Sequence, residues 1–488
     1  MTQSTTPPPP VGTAADGPEK LDRRILAIGG VVVLGALMAM LDATVINVAF
    51  DQLIVEFGTT LDTMQWVATG YTLALATVIP LSGWAADRFG TKAVYLAAVA
   101  LFMTGSALAG TAWSVESLIG FRIIQGLGGG MLLPLSMTIL TKAAGPERIG
   151  RMMAVLGIAM GLGPILGPIL GGWLVQDVSW RSIFYLNVPI GILTLLLGAR
   201  VLPDDERRPA AKLDVLGLFL LPPGLVALIY GLAQVPSRSG VTHPEVYLPA
   251  GIGAVLVVAF LWHAARTPHA LIDVRLFRNR QFSIATATMA LFLIAFYGTL
   301  LLLPLYFQQV RGEGPLNAGL LIAPQGIGAM VMMSISGRLV DRGYAARLVP
   351  VGIVVIAGAM VLFTQLTDAT PYWAIGTALF VMGLGMGMVG MPNMSIALKA
   401  LRPQDIARAS TSLSIIQQVA ASIGTALLSV ILYDQLATSL RELPEQAGGL
   451  LVPAIADAYR STFGWALALL VLSLIPALLR LRGSARAD

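Results

Sequence analysis

The sequence contains no cysteine, so disulfide bonds and thiolate metal sites are excluded. Its three histidines, His243, His263 and His269, are not spaced as metal ligands, and we expect neither a metal nor a cofactor. The sequence has no phosphate-binding Gly-x-x-x-x-Gly-Lys-Ser/Thr loop and no recognisable nucleophile and base pair, so we expect no enzyme activity. Charged residues are also scarce, at 12% of the chain, compared with roughly a quarter in soluble proteins. These absences argue against a soluble enzyme.

Apolar residues dominate the chain instead. They make up 56% of the 488 residues and give a mean hydropathy of +0.78. A helix that crosses a bilayer needs about 20 apolar residues, and the chain contains fourteen such segments. We predict spans at 25–49, 63–86, 93–112, 116–141, 152–175, 185–201, 214–235, 246–266, 283–305, 317–338, 348–367, 372–394, 407–434 and 458–480. The sequence therefore predicts an all-α integral membrane protein.

The basic residues predict how these spans are oriented. Most of the 31 Lys and Arg residues fall in loops on the same side as the two termini. By the positive-inside rule, both termini are then cytoplasmic, in a bacterial plasma membrane. The net charge of +5 reflects this asymmetry, and we expect no nucleic-acid partner. Residues 1–24, rich in Pro, Thr and Gly, are predicted to be a disordered cytoplasmic tail, and 481–488 a second cytoplasmic tail.

An internal repeat divides the chain. The loop after the second span begins at Gly83 as GWAADRFGTK, and the loop after the tenth begins at Gly337 as GRLVDRGYAAR. Repeats of this kind underlie transporters whose halves rock about a site near the membrane midplane. We predict two six-helix halves, 25–201 and 283–480, joined by a linker, 202–282, that carries two inserted transmembrane helices. The one sizeable outer loop, 435–457, has the composition of an amphipathic surface helix.

Two charges remain deep within spans once all others are assigned to loops and helix ends. They are Asp42 and Arg122, and each costs about 2.5 kcal/mol or more at a helix centre. At 1.5 Å per residue, Asp42 lies roughly 13 Å and Arg122 roughly 9 Å below the same outer face, so they could meet. One interpretation is a structural ion pair. The other, which we favour, is a proton carrier, because burial favours the protonated carboxyl and a nearby guanidinium or water favours its release.

Two further polar residues are candidates for a transport pathway. Gln125 shares a helical face with Arg122, and Asn47 follows Asp42 in the first span. The fifth span, GLGPILGPILGG, places small residues four positions apart with prolines between them. This stripe predicts either close helix packing or a hinge that seals one side of a pathway. Its members are Gly163, Pro164, Gly167, Pro168, Gly171 and Gly172.

Together these motifs resemble the major facilitator superfamily, specifically its 14-helix drug:proton antiporter branch, over nearly the whole chain. GPILGPILGG at 163–172 resembles the antiporter motif of the fifth helix, and RIIQGLGGG with Arg122 resembles the proton-linked motif of the fourth. LDATVINVA at 41–49 and WRSIFYLNVPIG at 180–191 resemble the motifs of the first and sixth helices. The loop residues that resemble the cytoplasmic gating motif are Gly83, Asp87, Arg88, Gly90 and Lys92.

The resemblance implies a major facilitator fold and proton-driven export by alternating access, with Asp42 and Arg122 in proton coupling. It also implies that Asp87 and Arg88 latch the outward-facing state. Gly337, Asp341 and Arg342 would form a weaker second copy of this latch. The tenth span lacks the extra acid found in exporters of dications, so we expect lipophilic substrates that are monocationic or neutral.

Three rival functions remain open from the sequence. The first is a dedicated exporter of one metabolite, such as a self-made antibiotic, and the second is a proton-coupled nutrient importer. The third is a membrane sensor that transports nothing, for which a buried Asp and Arg have no evident purpose. The expected partners are a small lipophilic substrate, protons and membrane lipid. A monomer is plausible, although the sequence does not fix the oligomeric state.

Overall fold

The computed structural model describes residues 23–144, 148–204, 213–235, 242–267, 270–402, 405–441 and 451–484. Their regular structure is helical throughout. The helices are α1 (Arg23–Phe57), α2 (Leu61–Phe89), α3 (Thr91–Gly110), α4 (Val115–Ala144), α5 (Ile149–Asp177), α6 (Ser182–Tyr185), α7 (Asn187–Val201), α8 (Val215–Ala233), α9 (Pro244–Arg266), α10 (Arg280–Gln309), α11 (Pro315–Asp341), α12 (Ala345–Phe363), α13 (Tyr372–Lys399), α14 (Ile406–Arg441), α15 (Leu451–Leu472) and α16 (Leu474–Ser484). A 3₁₀ helix, Val274–Arg278, precedes α10.

Thirteen helical segments of the described residues are long and apolar enough to cross a membrane. They coincide with every predicted span except the fifth. That span coincides with α5, in which Gly150–Gly163 is a shorter apolar stretch. The predicted all-helical membrane architecture is confirmed, and the number fourteen stays a prediction. We call the face at which α1, α3 and α5 begin the inner face, because the sequence predicts it to be cytoplasmic.

The helices pack as two sets with the same arrangement. In the first set, α1 packs against α5 and α7, α2 against α4, and α3 against α4 and α7. In the second set, α10 packs against α14 and α15, α11 against α13, and α12 against α13 and α15. The sets meet along two lines, the α2–α14 seam and the α5–α11 seam. This duplicated packing agrees with the internal repeat, while the exact domain boundaries stay predictions.

The glycine stripe of α5 faces α1 within the first set. A Cβ atom added at Gly163 would lie 2.6 Å from Cβ of Met40, and one at Gly167 would lie 2.0 Å from Oγ1 of Thr44. Both distances are shorter than carbon side chains tolerate, so the absence of side chains allows the two helices to approach closely. Gly172 differs, since no atom lies within 4 Å of its added Cβ. The side chains of Pro164 and Pro168 lie outside the described residues.

The two inserted helices form a tightly packed hairpin. A Cβ atom at Gly253 of α9 would lie 2.3 Å from the backbone nitrogen of Leu228 in α8. Helix α8 also packs against both α2 and α14, so it lies on the α2–α14 seam. Asp214 fastens the inner end of the hairpin, because its carboxylate accepts hydrogen bonds from the Gly217 and Leu271 nitrogens at 2.8 and 3.2 Å. Its Oδ1 also contacts Nε2 of His263 at 2.8 Å.

The predicted outer loop and the predicted C-terminal tail both lie partly within helices. Residues 435–441 of the predicted outer loop continue α14, and 451–457 already belong to α15, because both helices extend beyond their apolar cores. The rest of that loop, 442–450, lies outside the described residues. At the C-terminus, α16 continues through Ser484, so the predicted tail begins as helix. Residues 1–22 of the predicted N-terminal tail are also outside the described part of the chain.

Candidate functional site

The two charges predicted to lie deep in the membrane are in contact. Arg122 on α4 donates a hydrogen bond from Nη1 to Oδ2 of Asp42 on α1, at 2.5 Å. Asp42 is 4% exposed and Arg122 is 1% exposed. Removing both charges from water is costly, and only close pairing with further hydrogen bonds offsets that cost. The geometry therefore establishes a buried ion pair.

Gln125 completes a triangle with this pair. It lies one helical turn after Arg122 on the same face of α4. Its Nε2 donates to Oδ1 of Asp42 at 2.8 Å, and its Oε1 accepts from Nη1 of Arg122 at 2.8 Å. Both ends of the amide are thus committed to the ion pair. Gln125 therefore belongs to the charge network, and its place on a transport pathway stays a prediction.

Asn187, the first residue of α7, is a member of the network that the sequence analysis missed. Its Nδ2 donates to Oδ1 of Asp42 at 3.1 Å and to Oγ of Ser106 at 3.0 Å. Ser106 in turn donates to the Phe184 carbonyl at 2.9 Å. The sequence feature that could have identified Asn187 is that it is the one side-chain amide in the apolar part of WRSIFYLNVPIG. We call Asp42, Arg122, Gln125 and Asn187 the buried network.

Aromatic rings enclose the guanidinium of Arg122. Its Cζ lies 4.2 Å from the ring centroid of Tyr71 and 5.8 Å from that of Phe184. Its Nε also donates to the Val67 carbonyl at 3.4 Å. Cation–π attraction and the backbone acceptor both favour the charged guanidinium in surroundings that otherwise oppose it. Arg122 is therefore held as a fixed positive charge beside Asp42.

All the helices of the buried network belong to the first set. Asp42 lies on α1, Arg122 and Gln125 on α4, and Asn187 on α7. A rigid-body movement of one set against the other leaves these distances unchanged. A change in these distances therefore requires a local rearrangement within the first set. The side chain of Asn47, the second pathway candidate, lies outside the described residues.

The end of α2, which the sequence predicts to begin a gating loop, joins the sets at the α2–α14 seam. Oδ2 of Asp87 lies 3.5 Å from Nε of Arg408, near the start of α14. One turn earlier, the hydroxyls of Ser82 and Thr411 are 3.0 Å apart. Gly90 has a φ of 90°, which a residue with a side chain rarely adopts, and this conformation joins α2 directly to α3.

Other members of that loop lie around this contact. A Cβ atom at Gly83 would lie 2.9 Å from Oγ1 of Thr411, so this glycine permits close approach of α2 and α14. Arg88 is exposed, and Lys92 pairs with Asp204 at 2.9 Å within the first set. The predicted loop residues are thus neighbours at the inner face. Gly83 and Asp87 contact α14 of the second set, whereas Lys92 contacts Asp204 of the first set.

The second-half copy joins the sets at the α5–α11 seam. Asp341 accepts a hydrogen bond from the Gly150 backbone nitrogen at 2.8 Å and another from Nε of Arg151 at 2.7 Å. Both donors lie in the first turn of α5, where the helix dipole also favours a carboxylate. Gly337 allows this approach, since its added Cβ would lie 3.0 Å from Cα of Arg151. Arg342 is exposed.

The two copies differ in the contacts they make across the seams, and which of them is the weaker stays a prediction. Asp341 makes two short hydrogen bonds across the seam, and its side chain is only 7% exposed. The sequence could not show this strength, because it depends on the α5 residues that the other half supplies. The contacts of Asp87 and Asp341 hold the two sets together at the inner face.

Comparison with known proteins agrees with this architecture. The family model of the Major Facilitator Superfamily matches residues 32–425. The Multidrug resistance protein B homolog of Mycobacterium tuberculosis (strain ATCC 25618 / H37Rv) is 42% identical, over 94% of this chain and 91% of that protein. The Multidrug export protein EmrB of Haemophilus influenzae is 31% identical, over 84% of this chain and 81% of that protein. The Probable actinorhodin transporter of Streptomyces coelicolor is 31% identical, over 93% and 80% respectively.

The fold also matches that of solved structures. The crystal structure of the human organic anion transporter MFSD10 aligns with a TM-score of 0.64, over 92% of this chain and 100% of that chain, at 17% identity. At that identity the likeness concerns the fold alone. The family match and the sequence relatives go further, and they show that this chain belongs to the major facilitator superfamily of multi-pass membrane transporters.

Proposed function

We propose that this protein is a proton-driven exporter of lipophilic small molecules, in a bacterial plasma membrane with both termini cytoplasmic. The observation that carries the proposal is the buried network, in which the carboxylate of Asp42 is surrounded by a guanidinium and two amides. A purely structural pair in this position adds little stability relative to apolar side chains. Proton exchange by Asp42 would explain why the chain keeps a costly buried carboxylate at this position. The relatives named for multidrug resistance and multidrug export support the direction of transport.

The proposed cycle is alternating access of the two sets. With the inner face held closed by Asp87 and Asp341, Asp42 takes up a proton from the outer side, and its attraction to Arg122 weakens. When the inner face opens, Asp42 releases the proton and substrate binds. One pH unit supplies about 1.4 kcal/mol per proton. A membrane potential of 100 mV adds about 2.3 kcal/mol per charge moved, so uphill export is energetically feasible.

The substrates that fit this proposal are neutral or monocationic. No acidic residue occurs in α11 before Asp341 at its inner end, which leaves no carboxylate within this helix for a dication. A lipophilic cation or neutral molecule needs no such partner. Protons and membrane lipid are the other proposed partners.

A dedicated exporter of one metabolite is the second candidate. It is favoured by the likeness to the Probable actinorhodin transporter, which covers 93% of this chain. Resistance measured across chemically unrelated compounds separates the two candidates. A polyspecific exporter protects against several of them, whereas a dedicated exporter protects against one scaffold.

The test is gradient-driven transport in inverted membrane vesicles. Wild type should accumulate a lipophilic cationic dye when the vesicle interior is made acidic, and Asp42→Asn should lose at least 90% of this gradient-dependent uptake. Asp457→Asn is the matched control, because Asp457 is an exposed carboxylate near the start of α15. Undiminished uptake by Asp42→Asn contradicts the coupling role, and gradient-driven flux in the opposite direction contradicts export.

A further inference from the structure

The amide of Asn187 has one end without a partner. Both hydrogens of Nδ2 are used, towards Asp42 and Ser106. Its Oδ1 is buried and has no hydrogen-bond partner among the described residues, and the residue is only 1% exposed. A buried acceptor without a donor is unfavourable and uncommon in folded proteins. Within the buried network, Asn187 thus holds an acceptor that another state of the site could use.

The protonation state of Asp42 decides which end of this amide should face it. An ionised carboxylate only accepts hydrogen bonds, so it requires the nitrogen of Asn187. A protonated carboxyl carries an O–H that must donate. At present both amide groups next to Oδ1 are donors, Nε2 of Gln125 and Nδ2 of Asn187. A proton at Oδ1 therefore has no acceptor until one of these amides turns over.

Gln125 cannot turn over without loss. Its Oε1 accepts from Arg122, and inversion would place an NH₂ group against the guanidinium. The Oδ1 atom of Asn187, in contrast, accepts no hydrogen bond that inversion would break. Inversion would bring this Oδ1 to Asp42 and move Nδ2 to the position that Oδ1 now holds. Ser106 would then donate to Oδ1 instead of to the Phe184 carbonyl, because a hydroxyl both donates and accepts. The other ionisable groups facing this point are Arg122 on α4 and Tyr71 on α2, and the guanidinium of Arg122 can only donate.

We propose that Asn187 is a positioning residue whose side-chain amide turns over when Asp42 is protonated and then accepts the hydrogen bond of the carboxyl. This inference rests on the proposed role of Asp42 in proton exchange. Asn187 follows the junction between α6 and α7, and Ser106 links it to the Phe184 carbonyl of α6. Turning the amide therefore changes the hydrogen bonds at this junction, which connects proton uptake to a movement of α7 within the first set.

Infrared difference spectroscopy tests the proposal on the full-length protein in lipid bilayers. The acid-minus-neutral spectrum of wild type should contain the C=O band of protonated Asp42, identified by its loss in Asp42→Asn. In Asn187→Leu this band should move to higher frequency, because the carboxyl loses its acceptor. The side-chain amide signal of Asn187 should vanish as well. Asn187→Ser, a smaller change, should give the same direction of shift, since the shorter side chain cannot reach Asp42.

Thr194→Val is the matched control. Thr194 lies two turns further along α7, and its hydroxyl bonds the Ile190 carbonyl of its own helix, so the Asp42 band should not move. The same band position in wild type, Asn187→Leu and Asn187→Ser would overturn the role of Asn187 and leave proton uptake by Asp42 intact. Spectra of wild type and Asp42→Asn without any difference would overturn proton uptake itself, and this inference with it.

A pH profile provides the second readout. Gradient-driven transport by Asn187→Leu should persist, with its half-maximal pH raised by about one unit relative to wild type. The variant loses the hydrogen bond to Asp42 in both protonation states, and the bond to the charged carboxylate is the stronger of the two, so the protonated carboxyl is favoured. A merely structural role would lower the amount of active protein without moving this midpoint. An unmoved midpoint at reduced amplitude therefore counts against the proposal.

Discussion

Among the described residues, the Asp42–Arg122 and Asp341–Arg151 ion pairs both lie largely away from water, and they differ in which parts of the chain they join. Asp42 and Arg122 both belong to the first set of helices, whereas Asp341 and Arg151 belong to different sets. Rocking of the sets leaves the first pair intact and must break the second. The comparison teaches that burial alone does not reveal what a charge does in a transporter. A pair within one set does not respond to movement between the sets, whereas a pair between the sets does.

The largest expected effect comes from breaking the pair within the first set. Arg122→Leu leaves Asp42 buried and uncompensated, which should lower the free energy of unfolding by about 3–5 kcal/mol. Adding Asp42→Asn removes the stranded charge and should restore most of this stability, but not proton-driven transport. Thermal unfolding in detergent together with vesicle uptake measures both. A double variant as unstable as Arg122→Leu would contradict the assignment of the loss to the unpaired carboxylate.

The glycine stripe should give the next effect, again within the first set. Gly163→Ala places a Cβ atom 2.6 Å from that of Met40, and such overpacking typically costs about 1–3 kcal/mol. Gly172→Ala is the control, because no atom lies within 4 Å of the added Cβ. Melting temperatures should fall for the first variant and stay close to wild type for the second. Equal melting temperatures would show that α1 and α5 separate at little cost.

Asp341→Asn should act on the seam more than on overall stability. It weakens two hydrogen bonds to a charged acceptor, so the closed inner face should lose about 2 kcal/mol relative to the open one. Because the chain lacks cysteine, a single cysteine introduced at a position buried in the closed seam reports this shift. Its labelling by a water-soluble thiol reagent should accelerate in Asp341→Asn. Unchanged labelling would remove Asp341 from control of the inner face.

Arg408→Gln tests the other seam and should have a smaller effect. Its contact with Asp87 is 3.5 Å, and the two side chains are 28% and 25% exposed, so water screens the attraction. Pairs of this kind contribute about 0–1 kcal/mol. The same labelling assay should therefore show a weaker acceleration than for Asp341→Asn. An effect larger than that of Asp341→Asn would reverse the order of the two seams.

The smallest effect is expected at the opposite face, where Glu313 accepts hydrogen bonds from Tyr372 and Asn317 within the second set. These bonds, first that of Tyr372, lower the pKa of Glu313 below its usual value. Its contribution to stability is therefore present above the ordinary glutamate pKa and is lost as the pH falls through the lowered value. Glu313→Gln should flatten this part of the stability profile slightly. An unaltered profile of stability against pH would show that the hydrogen bonds of Glu313 do not contribute to stability.

The sequence placed Asp42 and Arg122 at similar depths, because helical rise is regular and charges in a bilayer are rare, and it left open whether the two side chains touch. It did not identify Asn187, since a neutral amide in an apolar span carries no comparable cost and the break before α7 gives no clear signal. The strength of the Asp341 contact was also out of reach. That contact depends on the first turn of α5, about 190 residues away in the chain, and only the assembled fold brings the two together.

Because of the α8–α9 hairpin, the two seams of the protein differ in their exposure to lipid. Acyl chains that approach the α2–α14 seam from that side meet the inserted helices, of which α9 is the more exposed, while the α5–α11 seam has no such cover among the described residues. A lipophilic molecule that diffuses laterally in the bilayer therefore meets α8 and α9 in front of the α2–α14 seam, whereas it can contact the α5–α11 seam directly. The two inserted helices thus make the α5–α11 seam the more accessible of the two from the lipid.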